Sequence, residues 1–281
     1  MRTALVTVAH GRHDHLELQR QMLSRSQQPV DDYIVVALDD EALATHWAQR
    51  DDVIVLTHGP GRHGLPIAAA RNAGAAEAVS RGAELIIFLD VDCLPDPALV
   101  GHYQLAASDE PALLCGPVAY LPRPGASGYD LDGLHRYPFH PARPAPQPGQ
   151  VQQNGDPRLF WSLSFAVTRE TWLRTTGFCP DYEGYGAEDT DFAFVARDAG
   201  ASVTWVGGAA AYHQWHPTQS PPVGHLEDIV RNAAIFARRW GWWPMEGWLG
   251  AFAEQGLVRW DAARARYVTA APAVVRQGSP S

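Results

Sequence analysis

Apolar residues in the first third of the chain fall into short unbroken runs, and the segments between them repeat at helical spacing. Ala4–Ala9 reads as a buried strand closed by His10-Gly11-Arg12, and Leu16–Leu23 as a helix. Tyr33–Leu38 is a second strand ending in Asp39-Asp40, with a helix over Glu41–Gln49. Val53–Thr57 is a third strand. The bend Gly59-Pro60-Gly61-Arg62-His63-Gly64 then leads into a helix over Ala68–Ser80. Leu85–Leu89 is a fourth strand that stops at Asp90-Val91-Asp92, after which Pro95-Asp96-Pro97 turns the chain away. Unbroken apolar strands separated by helices predict an α/β fold: a mostly parallel, Rossmann-like central sheet with helices on both faces. Ligands of such sheets bind beyond the carboxyl ends of the strands. His10–Arg12, Asp39-Asp40 and Asp90–Asp92 all stand at such ends.

The pattern changes at Leu121–Gln150, which holds seven prolines and no helical or strand period. A strand-like run, Phe160–Thr168, resumes afterwards, so the segment reads as a long loop inside a domain, of the kind used as a lid. After Gly207 the pattern becomes helical: Leu226, Ile229, Val230, Ala233, Phe236, Ala237 and Trp240 fall on one face. A Trp-rich segment, 240–248, follows. The expected organisation is one α/β domain over 1–225 and a helical, Trp-rich extension over 226–281 packed on it. No stretch approaches the about 18–20 apolar residues that cross a bilayer, and the N-terminal run is too short for a signal peptide. Any membrane contact is expected to be peripheral, through the Trp- and Arg-rich C-terminal region.

Composition narrows the chemistry. All 22 basic residues are arginine, which removes phosphate-loop, kinase-type and Schiff-base lysines together. At 46% hydrophobic and 19% charged the chain is globular rather than disordered. A net charge of −9 argues against nucleic acid as a partner. Residues 1–225 carry 15 Arg against 26 acidic residues (−11), whereas 226–281 carry 7 against 5 (+2). Cys93, Cys115 and Cys179 lack metal-ligand spacing and read as reduced thiols of a cytoplasmic protein.

Asp90 and Asp92, two apart in extended chain, point to the same side. Two converging carboxylates repel unless a cation lies between them. A hard divalent ion, Mn²⁺ or Mg²⁺, bridged to phosphate oxygens would relieve that repulsion.

Four segments, in order, resemble glycosyltransferases of the GT-A fold, close to the inverting family-two type and to galactosyltransferase-like catalytic domains. Val8–Arg12 with His15-Leu16 resembles the first strand and nucleotide loop. Ala70-Arg71-Asn72-Ala73-Gly74 resembles the helix start beneath the donor. Phe88–Asp92 resembles the Asp-x-Asp metal motif. Gly177-Phe178 with Gly184-Tyr185-Gly186-Ala187-Glu188-Asp189-Thr190-Asp191-Phe192 resembles the acceptor-side motif. These motifs span about three-quarters of the chain.

The resemblance implies a nucleotide-sugar donor, most commonly a UDP-sugar, and a hydroxyl acceptor that is a glycan, a lipid-linked sugar or a small molecule. It gives the metal to Asp92 and Asp90, with a later histidine, His213 in preference to His216, as further ligand. His10, Arg12, Arg71 and Val91 would line the donor with Asp90, and Asn72 would support the loop. Asp39 or Asp40 would meet the base. Asp189 would be the general base and Glu188 would bind acceptor hydroxyls. A retaining transferase of the same fold and a non-catalytic nucleotide-sugar- or carbohydrate-binding protein are the alternatives. A sugar-phosphate nucleotidyltransferase is disfavoured by the absence of lysine.

Overall fold

The computed structural model describes residues 1–270; the last part of the expected C-terminal extension, 271–281, lies outside the described residues. The chain divides into two compact units, one of Met1–Glu183 with Glu188–His216, the other of Gly184–Ala187 with 217–270.

The larger unit begins with β1 (Thr3–Ala9), α1 (His13–Leu23), β2 (Asp32–Leu38), α2 (Glu41–Trp47), β3 (Ile54–His58), α3 (Ile67–Ser80) and β4 (Leu85–Leu89). It continues with β5 (Cys93–Pro95), α4 (Leu99–Ala106), β6 (Ala112–Cys115), β7 (Val118–Tyr120) and β8 (Val151–Gly155). It closes with β9 (Ser164–Thr168), α5 (Arg169–Thr175), α6 (Glu188–Asp198), β10 (Ser202–Val206) and β11 (Ala211–His213). The central sheet has the order β3-β2-β1-β4-β9-β6-β10-β8. Its first four strands are parallel, β6 and β10 are parallel, and β9 and β8 run against their neighbours. A second sheet, β5-β11-β7, carries the chain beyond the carboxyl ends of β4 and β6.

Strands β1, β2 and β4 are almost wholly buried, which is why their runs are apolar on both faces rather than on one, with Thr7 the exception inside β1. The expected run Phe160–Thr168 is a strand only from Ser164. Phe160–Leu163 turns before it, and the Leu163 carbonyl accepts from Asp90 N–H at 3.0 Å, tying this turn to the end of β4. The region after Gly207, where the pattern turns helical, first forms β11, because Ala211–His213 pairs with both β5 and β7.

Phe88, Phe165, Phe178, Phe192 and Trp172 form one aromatic cluster. Phe88 stacks on Phe165 at 4.6 Å and Phe178 on Phe192 at 4.1 Å. It joins β4 and β9 to the Gly177-Phe178 turn and to α6. Burying a ring of this size contributes about 2–3 kcal/mol, so the cluster fixes where α6 begins.

The smaller unit contains α7 (Leu226–Trp240), α8 (Glu246–Glu254) and a hairpin of β12 (Val258–Asp261) with β13 (Arg266–Thr269). Ile229, Val230 and Ala233 of α7 pack with Leu249, Phe252 and Val258. Three residues of the predicted α7 stripe thus help to build this core. Asn232 of the same helix donates to the Tyr185 carbonyl at 3.2 Å.

Candidate active site

The Asp90-Val91-Asp92 turn leaves β4 at the ligand edge of the sheet. Its backbone is held by Gln19, a buried residue of α1. The Gln19 amide donates to the carbonyls of Asp90 (2.7 Å) and Cys93 (2.9 Å), and its oxygen accepts from Thr7 (2.8 Å) and Tyr33 (2.9 Å). Every hydrogen-bonding position of this buried amide is filled, as burial demands. Val91 itself is partly buried against the core beneath.

Strand β11 pairs antiparallel with β5, placing His213 opposite Cys93, and Gln214 N–H donates to the Asp92 carbonyl at 2.7 Å. This register puts His213 Nε2 3.5 Å from one oxygen of Asp92, and His216 Nε2 3.4 Å from the other. One ligand atom from each of the three residues lies within 4.8 Å of the others. The set of one carboxylate and two imidazoles fits a divalent transition ion such as Mn²⁺. Its protonation fits as well. Burial drives the Asp92 carboxyl up, but a hydrogen bond from His216 and the charges of His213 and Arg12 outweigh it and hold the carboxyl below its usual range. Burial lowers His213, favouring the neutral ring that binds metals.

Arg12 caps α1 in a left-handed conformation (φ 54°), preceded by Gly11 (φ 58°), and this tight turn brings its guanidinium to 3.9 Å from Asp92. Asp40 holds the turn: one oxygen accepts from Leu43 N–H at the start of α2, the other from Gly11 N–H at 2.9 Å and His13 at 2.9 Å. The His10 ring meets the Leu38 carbonyl at 2.8 Å. Asp39 takes a left-handed conformation (φ 49°) and is exposed at the end of β2. The two aspartates that sequence could not separate therefore differ. Asp40 is committed to the turn, whereas Asp39 faces solvent.

Arg71, on α3, is the centre of the second cluster. It is only 6% exposed, lies over the ring of Phe178 at 5.2 Å, and donates to Asp90 at 2.9 Å and to Asp189 at 3.3 Å. Glu188 stands 3.7 Å from the same guanidinium. Burial works against the charged arginine, but Asp90, Asp189 and Glu188 outweigh it and raise its pKa further. The carboxylates respond unequally. Burial, with repulsion from Asp92 and Asp189, raises Asp90 against the pull of Arg71. Burial and the neighbouring Asp189 push Glu188 up to about 7.

Asp189 has both oxygens engaged, one by Arg71 and the other by the backbone N–H of Ser162 at 2.9 Å. It stands in the first turn of α6, where unpaired N–H groups favour negative charge. Asn72 does not reach this cluster with a free amide. It donates to the Phe178 carbonyl (2.8 Å) and accepts from Phe178 N–H (2.9 Å), bracing the turn on which Arg71 rests. Gly177 (φ 80°) is required there, since a Cβ would stand 2.6 Å from the Asn72 oxygen.

The structure thus brings Asp90, Asp92, Arg12, Arg71, Glu188, Asp189 and His213 to one edge of the sheet and adds His216, with His10 and Asp39 on the neighbouring loops. Gln19 and Ser162 carry no sequence signal. Gln19 is one polar residue among many on a helix, and Ser162 acts through its backbone.

A mostly parallel α/β sheet with an acidic edge at the carboxyl ends of its strands is the architecture of the GT-A fold. The chain belongs to glycosyl transferase family 2, whose pattern matches residues 17–171. No curated protein matches it in sequence. Solved structures share its fold. The crystal structure of GalNAc-T7 with UDP, GalNAc and Mn2+ superposes with a TM-score of 0.57 at 15% identity, over 77% of this chain and 44% of that one. S. aureus TarS 1-349 in complex with UDP matches with 0.56 at 13% identity over 91% of this chain and 77% of that one. Its complex with UDP-GlcNAc gives 0.57 at 11% identity over 91% and 78%. The chain spans less than half of the GalNAc-T7 chain. Among the described residues no helix is long and apolar enough to cross a membrane.

Proposed function

We propose that this glycosyltransferase moves a hexose or N-acetylhexosamine from a UDP-sugar to an acceptor hydroxyl with inversion, with Asp189 as general base. The observation that carries this reading is Arg71, which binds Asp90 at the end of β4 and Asp189 at the start of α6. One buried cation thereby joins the donor side of the site to the acceptor side. A single in-line displacement needs a carboxylate at the acceptor hydroxyl, facing the departing diphosphate across the sugar. Asp189, held by Arg71 and Ser162 N–H, is fixed for that task. Asp92, His213 and His216, with Asp90 beside them, would hold a divalent cation, Mn²⁺ or Mg²⁺, which when bound supplies charge neutralisation for the leaving diphosphate. Arg12, 3.9 Å from Asp92, adds a second positive charge there. Asp39 is the aspartate available to the nucleoside, with His10 next to it. Glu188, held close to neutral by its burial, can donate to as well as accept from an acceptor hydroxyl. UDP and Mn2+ accompany the GalNAc-T7 structure, and UDP and UDP-GlcNAc the TarS structures, which supports this donor class.

Asp189→Asn keeps the size but removes the base and one of the two acceptors, and is expected to lower transfer about a thousandfold or more while UDP binding persists. A panel of UDP-sugars assayed with and without Mn²⁺, with the product anomer read by NMR, checks donor, metal and stereochemistry together. Near-parental turnover by Asp189→Asn would refute its role.

A further inference from the structure

Tyr120, at the end of β7, is an aromatic residue left 47% exposed. Its ring stacks on His213 with centroids 4.6 Å apart and planes at 27°. His140, from the Pro-rich loop, lies 5.4 Å from Tyr120 and meets Trp161 edge-on at 5.0 Å. Four rings therefore run in a chain from the metal-competent cluster to Trp161. The next residue, Ser162, is the one whose N–H holds Asp189.

Trp161 is itself held. The guanidinium of Arg143 lies 5.5 Å from its ring and 4.9 Å from that of Trp205. Arg143 is 5% exposed and, among the described residues, none of its three guanidinium nitrogens meets an oxygen acceptor. A buried cation without an acceptor is unfavourable unless something else compensates, and here two indole faces do. The Pro-rich loop thus brings His140 and Arg143 to Trp161 together.

In a single displacement the transferred sugar must lie between the group that neutralises the diphosphate and the base that takes the acceptor proton. The aromatic chain spans that interval. A hexose offers an apolar C–H face to rings and hydroxyls to polar tips, and Tyr, His and Trp provide both. We infer that Tyr120, His140 and Trp161 form the wall against which the pyranose ring of the donor packs, so that the Pro-rich loop reads the sugar rather than the nucleotide. The inference rests on the transferase reading above.

Calorimetric titration with UDP and with UDP-glucose, UDP-galactose and their N-acetylated counterparts, all with Mn²⁺, tests it. The parent protein is expected to bind at least one UDP-sugar more tightly than UDP. Tyr120→Ala and Trp161→Leu should each weaken that UDP-sugar about tenfold while UDP changes by less than about twofold, and Tyr120→Phe should keep the parental preference. Equal weakening of UDP and UDP-sugar, no weakening of either, or no sugar preference in the parent would overturn the wall. Failure of the parent to bind UDP at all would instead overturn the transferase reading, and the wall with it. Because Tyr120 is half-exposed, Tyr120→Ala remains informative should Trp161→Leu fail to fold.

Discussion

Arg71 is where the two acidic motifs meet. Three carboxylates share its one positive charge, so burial leaves the cluster short of neutralisation, and Glu188 answers by holding its proton to about 7. This has a consequence for stability. Unfolded, Glu188 ionises near its ordinary value of about 4.3; folded, it ionises near 7. Between those values the native state binds more protons than the unfolded one, so stability falls as pH rises through the window and levels off above it. Glu188→Gln removes this dependence. Its melting temperature relative to the parent is expected to rise from pH 4.5 to pH 7, by a few degrees, and to stay constant beyond. Thermal melts across that range check it, and a difference independent of pH would contradict the assignment.

At the level of elements, the site depends on where α6 starts and how α3 meets the Gly177-Phe178 turn. Asn72 treats Phe178 as a strand would, giving and receiving one hydrogen bond with its backbone. Asn72→Ala leaves that N–H and that carbonyl without partners next to Arg71. The expected loss is about 2 kcal/mol of stability, read from urea unfolding, together with lower activity as the support beneath Arg71 loosens. Reading from sequence worked well for these elements wherever burial was uniform. The strands ending at Leu38 and Leu89 were visible because their apolar runs are unbroken. Strand β11 was not, since Ala211–His213 is three residues long and owes its conformation to β5 and β7 on either side. The start of β9 was misplaced for a similar reason. Phe160 is apolar because it packs on Phe165 and Phe192, not because it lies in the sheet.

For the whole molecule, the divalent-ion cluster and the nucleotide should act as ligands of the native state. Mn²⁺ with UDP, each at about a hundred times its dissociation constant, is expected to stabilise the protein by about 2.7 kcal/mol or more. Asp92→Asn should abolish the Mn²⁺-dependent part, as should chelation by EDTA, and scanning calorimetry measures both. An unchanged Mn²⁺ response in Asp92→Asn would place the ion elsewhere.

The absence of lysine was plain from composition, and it leaves arginine as the chain's only strongly basic side chain. The strand ends carrying Asp39-Asp40 and Asp90–Asp92 could be located from local pattern alone, because burial on both sheet faces writes itself into consecutive residues. The local sequence could not say that Asp40 is spent on a turn while Asp39 is exposed, or that both His213 and His216 reach Asp92. Nor could it show that Gln19 holds the backbone of the turn after β4, or that Ser162 N–H holds the Asp189 carboxylate. Arg71 and Asp189 are 118 residues apart and Asn72 and Phe178 are 106 apart. Contacts at that separation leave no period in the chain, and they exist only because the folded sheet delivers the ends of β4 and β11 and the start of α6 to the same edge.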